Sequence, residues 1–262
     1  MQWGKAKNVL IAVLLLVNLF LYAVTAGMVR QRSHMDEEYV ENAISLLQSR
    51  GVAVEHSVFP ERRIGLSTLS VSTKEMLYPM ARALLEDPSL EPSVAGEGIW
   101  FRNEKGSVLL TGSSDFVFVP IKTLNSLEEA RELLIKSGFS ENELQIDGDR
   151  LCQLYKGVLL EGCVTRLQGN ALYGRLLDTS RGSSSTQELM DAANALLLFA
   201  AHMQEEEKVP CTVSSIGNVY EVETGGLFNA ATCTPAYRIV CEAGSYLVDA
   251  VSGAVSQQEE GS

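Results

Sequence analysis

The sequence predicts an α+β protein: an N-terminal transmembrane helix followed by two small units of antiparallel sheet packed with helices. Three observations predict it. Val9–Val29 reads VLIAVLLLVNLFLYAVTAGMV, about twenty-one residues without a charge. As a helix it is about 31 Å long at 1.5 Å per residue, close to a bilayer's hydrocarbon core. Beyond it, apolar residues recur at helical spacing in some stretches and alternate in others. The spacing A..LL...G at Ala43–Gly51 recurs loosely at Ala130–Gly138, which divides the rest into two related units near Lys122–Asn125. The expected organisation is a cytoplasmic tail over 1–8, an anchor over 9–29, a first extracytoplasmic α+β unit over 30–124, a second over 125–255, and a disordered polar tail over 256–262.

The first stretch has two readings. One is a cleaved signal peptide, with Val24-Thr25-Ala26 as the small-residue site. The other, favoured by the length of the apolar run and by Tyr22 within it, is a retained single-pass anchor. Basic residues flank both ends, Lys5 and Lys7 before, Arg30 and Arg32 after. A short tail with two lysines stays in the cytoplasm, which places the bulk of the chain outside, at the cell membrane. Trp3, Lys5 and Lys7 are then interface residues. Asn18 is the one strongly polar group in the segment, and a buried amide in lipid seeks a partner helix. Asn18, Leu19, Phe20 and Leu21 are the candidate helix-contact residues, with a tolerated single Asn as the bland alternative.

The elements follow in order. Asp36–Arg50 has roughly helical spacing at Tyr39, Val40, Ala43, Ile44, Leu46 and Leu47, and Gly51 stops it. Ile64–Ser72 alternates as a strand. Ser72-x-x-Glu75 is a capping-box pattern opening a helix to Glu86. Gly98–Arg102 and Ser107–Thr111 form a hairpin about Glu104–Gly106, and Phe116–Val119 is a further strand. Ser126-x-x-Glu129 opens a helix ending at Gly138. Arg150–Tyr155, Val158–Leu167 and Ala171–Asp178 read as strands, and Arg181–Ser185 as a loop. Ser185-x-x-Glu188 is expected to cap a long helix through Met203. Thr212–Glu223, Ala231–Val240 and Ser245–Val251 close the chain as strands.

Charge and motif narrow the function. The chain carries −12 overall, and the four basic residues before Met35 leave 17 basic against 33 acidic residues after it. So acidic a body does not bind nucleic acid through its general field. His34, His56 and His202 are far apart and lack H-E-x-x-H spacing. There is no G-x-S-x-G and no S-x-x-K. The expectation is therefore no enzyme, no cofactor and no metal, although an exported enzyme with an unrecognised site is a third class. The five cysteines, Cys152, Cys163, Cys211, Cys233 and Cys241, contain no C-x-x-C. A hairpin of the last long strands centred near Leu227 pairs residues whose numbers sum to about 454. That register brings Cys211 close to Cys241 as the candidate disulfide, with Cys152 and Cys163 second and Cys233 the odd thiol. Five buried free thiols remain the alternative.

Two segments carry a resemblance. The start, Trp3-x-Lys5-x-Lys7 running into Asn18-Leu-Phe-Leu21, and the close, Pro235-Ala-Tyr-Arg-Ile239 with Tyr246-Leu-Val-Asp-Ala-Val-Ser-Gly253-x-Val255, resemble the two ends of the YycI (YycH/YycI) family of membrane-anchored regulators of the WalK sensor kinase. The resemblance implies a non-enzymatic regulator of a two-component sensor histidine kinase. It would act through its transmembrane helix and outer domain, with a YycH-like paralogue, the kinase's transmembrane helices and the lipid bilayer as partners. Tyr237 and Arg238 are candidate partner contacts, on a strand whose outer face carries Arg238. Similar closing hairpins occur in PepSY-type modules, so the alternative is an exported binding module restraining a protease or cell-wall hydrolase.

Overall fold

The computed structural model describes residues 14–15, 17–19, 37–60, 66–72, 74–96, 98–111, 115–185, 187–224 and 230–258. From Glu37 onward the chain runs through α1 (Glu37–Ser49), β1 (Val52–Val54) and β2 (Thr68–Ser72). Then one pattern, a helix followed by four strands, occurs three times. The first is α2 (Lys74–Leu84) with β3 (Ser93–Ala95), β4 (Gly98–Asn103), β5 (Gly106–Thr111) and β6 (Asp115–Pro120). The second is α3 (Leu127–Lys136) with β7 (Leu144–Asp147), β8 (Arg150–Tyr155), β9 (Val158–Gln168) and β10 (Ala171–Arg175). After the short β11 (Ser183–Ser185) comes the third, α4 (Ala192–Glu205) with β12 (Cys211–Thr224), β13 (Ala230–Cys241), β14 (Gly244–Asp249) and β15 (Val255–Gln258). Within each set the strands pair in sequence as an antiparallel meander.

Local chemistry sets these elements. The β8–β9 turn is Lys156-Gly157, both at positive φ (51° and 81°), the backbone twist that two-residue hairpins require. Ser126 Oγ accepts from Glu129 N at 3.2 Å, and the Glu129 carboxylate accepts from Asn125 N at 2.9 Å, which fixes the start of α3. Hydrogen bonds from Asn125 hold the Glu129 carboxyl below its usual range. At α4 the cap is Asp191, accepting from Asn194 N at 2.9 Å. The start expected at Ser185 is wrong: Ser183–Ser185 pairs with β2 as an edge strand.

The expected fold class is overturned. In place of two small sheets packed with helices, the described strands form a mixed sheet of 15. The meanders fuse at their edges. β6 and β10, each the last strand of its set, pair antiparallel with Leu172 opposite Phe118. β9 pairs parallel with β12 through Leu159–Glu161 opposite Val219–Glu221. β2 joins β13. The physical reason is edge satisfaction: separate small sheets would leave several rows of backbone N–H and C=O groups unpaired, and joining them removes those rows. One core holds Leu124 together with Ala130 and Leu134, so its residues come from both sides of position 124. Val255–Gln258 is a strand where a polar tail is expected.

The transmembrane anchor and the single-pass cell-membrane location are also overturned. Among the described residues no helix is long and apolar enough to cross a membrane. Of Val9–Val29, the described residues are Leu14, Leu15, Val17, Asn18 and Leu19, all helical and exposed. Trp3, Lys5, Lys7, Phe20 and Leu21 lie outside the described residues.

The helices share one face of the sheet. Side chains alternate along a strand, so odd and even positions separate cleanly. Leu144, Leu151 and Leu172 pack with α2 and α3. Tyr237, Ile239, Tyr246 and Val248 pack with α1 and α4. The alternate positions, Leu154, Leu159, Val219 and Ala236, are lateral neighbours on the other face by register. There Val219, Ala236 and Leu247 form a small cluster with Leu159 against it, and no helix contributes to it.

Candidate interaction face

A break in strand pairing shapes this second face. The β8–β9 register jumps from Leu154–Leu159 to Cys152–Val164, so Gln153 faces four residues of β9, Leu160 to Cys163. Gly162 sits in that bulge at φ 84°. Gln153 keeps Leu144 of β7 as its ladder partner but has none in β9, and its side chain is tied to Leu177: Nε2 donates to Leu177 O at 2.6 Å, and Leu177 N donates to Oε1 at 2.8 Å. The bulge frees β9 to turn toward β12. A cleft of about 510 Å³ lies at the branch, walled by Gln145 and Asp147 of β7, Leu154 of β8 and Leu159 of β9, with Gly217 of β12 and Arg238 of β13 as floor.

The β12 edge has no paired strand beside this cleft, although the turn His56–Val58 that follows β1 lies against β12, with Val58 and Ile216 packed on the same core. β1 pairs parallel with residues 211–213, and β9 with 219–221. Among the described residues no strand pairs with 214–218 on that side. Gly217 leaves the floor bare, for a Cβ built on it meets nothing within 4 Å.

The charges are sparse. Arg238 Nη1 stands 3.6 Å from Glu161 Oε2, with side chains 36% and 18% exposed. That Glu161 oxygen is shut off from solvent and accepts no hydrogen bond. Asp147 is held by Arg150 at 3.1 Å. Burial pushes the Cys152 thiol up; Arg150 and Arg238 nearby pull it down, and Asp147 and Glu161 push it further up. The thiol therefore stays protonated near neutral pH and is a poor nucleophile. Burial, then Asp249 and Glu223, also raise the Glu221 carboxyl. What the arrangement offers is a set of donors and acceptors that can hold another chain.

The other expected site residues lie apart. Tyr237 is on the helix side, 7% exposed, its hydroxyl donating to Met190 O at 3.0 Å. All five cysteines are buried free thiols. Cys211 and Cys241 share one core, and Cys163 shares another with Cys233. Cys152, which lines the cleft, and Cys163 lie on opposite faces. Among the described residues, no group of three or more His, Cys, Asp or Glu is placed to hold a metal ion. Of the cleft, sequence reasoning finds Arg238 and misses Glu161 and Gly217. A lone glycine inside Ser214-Ser-Ile-Gly-Asn218 is the one available signal, since glycine in a strand marks a bulge or close approach.

No family model matches the chain, and no curated protein matches it. Among solved structures it is similar to an uncharacterised protein from Eubacterium rectale, at 12% identity over 84% of this chain and 99% of that one, with a TM-score of 0.44.

Proposed function

We propose that this chain is a non-enzymatic regulator that works by binding other proteins, with a two-component sensor histidine kinase and a YycH-like paralogue as its partners. The observation that carries the binding role is the cleft on the helix-free face, where Arg238 stands beside an unpaired stretch of β12. An open strand edge next to a guanidinium suits recognition of polypeptide. The choice of partners rests on the resemblance of the chain's two ends to the YycI family. Co-expression of the full chain with a tagged sensor kinase tests it. The kinase should co-purify the chain, its autophosphorylation rate should change in the chain's presence, and Arg238→Glu should weaken both effects. Equal phosphorylation with and without the chain, and no co-purification, would refute the reading.

A further inference from the structure

We infer that the open stretch of β12 at 214–218 takes an extended, acidic segment of a partner protein as an added strand. This rests on the protein-binding reading above and names the surface and the chemistry.

The argument starts from hydrogen bonding. A strand edge without a neighbour presents backbone donors and acceptors that another chain can satisfy. On β12 this edge is framed: β1 ends opposite Val213, and β9 begins its pairing opposite Val219. The interval is five residues, about 17 Å at 3.3 Å per residue, the length of a short strand. Its residues Ser215, Ile216, Gly217 and Asn218 line the cleft, so the edge faces accessible space.

Charge selects the occupant. Arg238 pairs with Gly217 across the β12–β13 ladder, so its side chain leaves the sheet on the same face, beside the bare glycine. Its guanidinium carries five donors, and its ion pair among the described residues is the long one to Glu161. The fork can take a second carboxylate with two parallel bonds. The other lining charge, Asp147, is already answered by Arg150. A carboxylate on the incoming strand, placed over Gly217, meets the guanidinium without displacing any described short hydrogen bond.

The test uses the full chain and three labelled ten-residue probes: alternating threonine and glutamate, alternating threonine and lysine, and the glutamate probe N-methylated at alternate residues. The glutamate probe should bind saturably and slow amide exchange at Ser215–Asn218. N-methylation should abolish that protection, and the lysine probe should bind at least tenfold more weakly. Gly217→Leu, which fills the bare floor without strain, should weaken binding about tenfold while the thermal midpoint is unchanged. Protection elsewhere than 214–218, equal binding of the lysine probe, or no saturable binding overturns the inference. If the kinase still responds to the full chain while all probes fail, the binding role stands and strand addition does not.

Discussion

Cys233 and Cys211 sit in apolar cores, and burial pushes their thiols up to about 12 and about 11. Unfolded thiols lose their protons near their ordinary value of 9.0. Above that pH the unfolded chain binds fewer protons than the folded one, so alkali favours unfolding. The contribution is fully present below about pH 9 and fades as pH rises toward 11 and 12. Urea denaturation should therefore give an unfolding free energy that is level from about pH 7 to 8.5 and falls by about pH 10.5. Cys233→Ala should make that fall shallower; an unchanged slope would show the thiol is not responsible. Tyr237→Phe should cost about 1 kcal/mol by the same measurement, for one hydroxyl bond to Met190 O. Alternation alone separates Tyr237 from Arg238 in the sequence. It does not reveal that helices cover the tyrosine's side.

Some glycines are structural at the level of the element. A Cβ on Gly174 would lie 2.2 Å from Val164 O and 2.6 Å from Thr165 Cα, where β10 runs closest to β9. Gly174→Ala should destabilise by about 1–3 kcal/mol, while Gly217→Ala, facing open space, should change stability little. Thermal melts of both proteins decide between this and a general glycine effect. Hairpins were legible because turn and pattern agree. The expected sum of about 454 for β12–β13 meets an observed Val213–Cys241 and Ser215–Val240. The start of α4 was not legible, because Ser185-x-x-Glu188 imitates a cap. Its serine is held instead by the β2 ladder, and Asp191 does the capping. Asp191→Ala should cost about 1–2 kcal/mol, since it removes the cap and the acceptor of the Tyr39 hydroxyl.

Across the whole molecule, the parallel β9–β12 contact links the two largest cores through a third that includes Leu160, Cys163, Tyr220 and Cys233. Unfolding should be a single event. In a Trp3→Phe background, Trp100 fluorescence and far-ultraviolet circular dichroism should give coincident urea transitions. Leu160→Ala, at a fully buried position, should shift both together by about 2–5 kcal/mol. Separate midpoints would mean that the halves melt independently. These joining contacts were the least legible part of the fold. Phe118 and Leu172, or Leu159 and Val219, are more than fifty residues apart, and no local period encodes who pairs with whom. Strands of three residues such as β1, β3 and β11 are too short to show alternation. The cleft inherits the same difficulty, for Asp147, Leu159, Gly217 and Arg238 converge only once those edges have met.

The β12 opening is closed at both ends, by Val54 of β1 and by the turn at Lys156-Gly157. That enclosure sets stoichiometry. A guest strand can occupy the slot once per chain and must leave the sheet on either side after about five residues. It cannot recruit a further copy end to end, so the same backbone groups that would seed a fibre on a free edge here count to one.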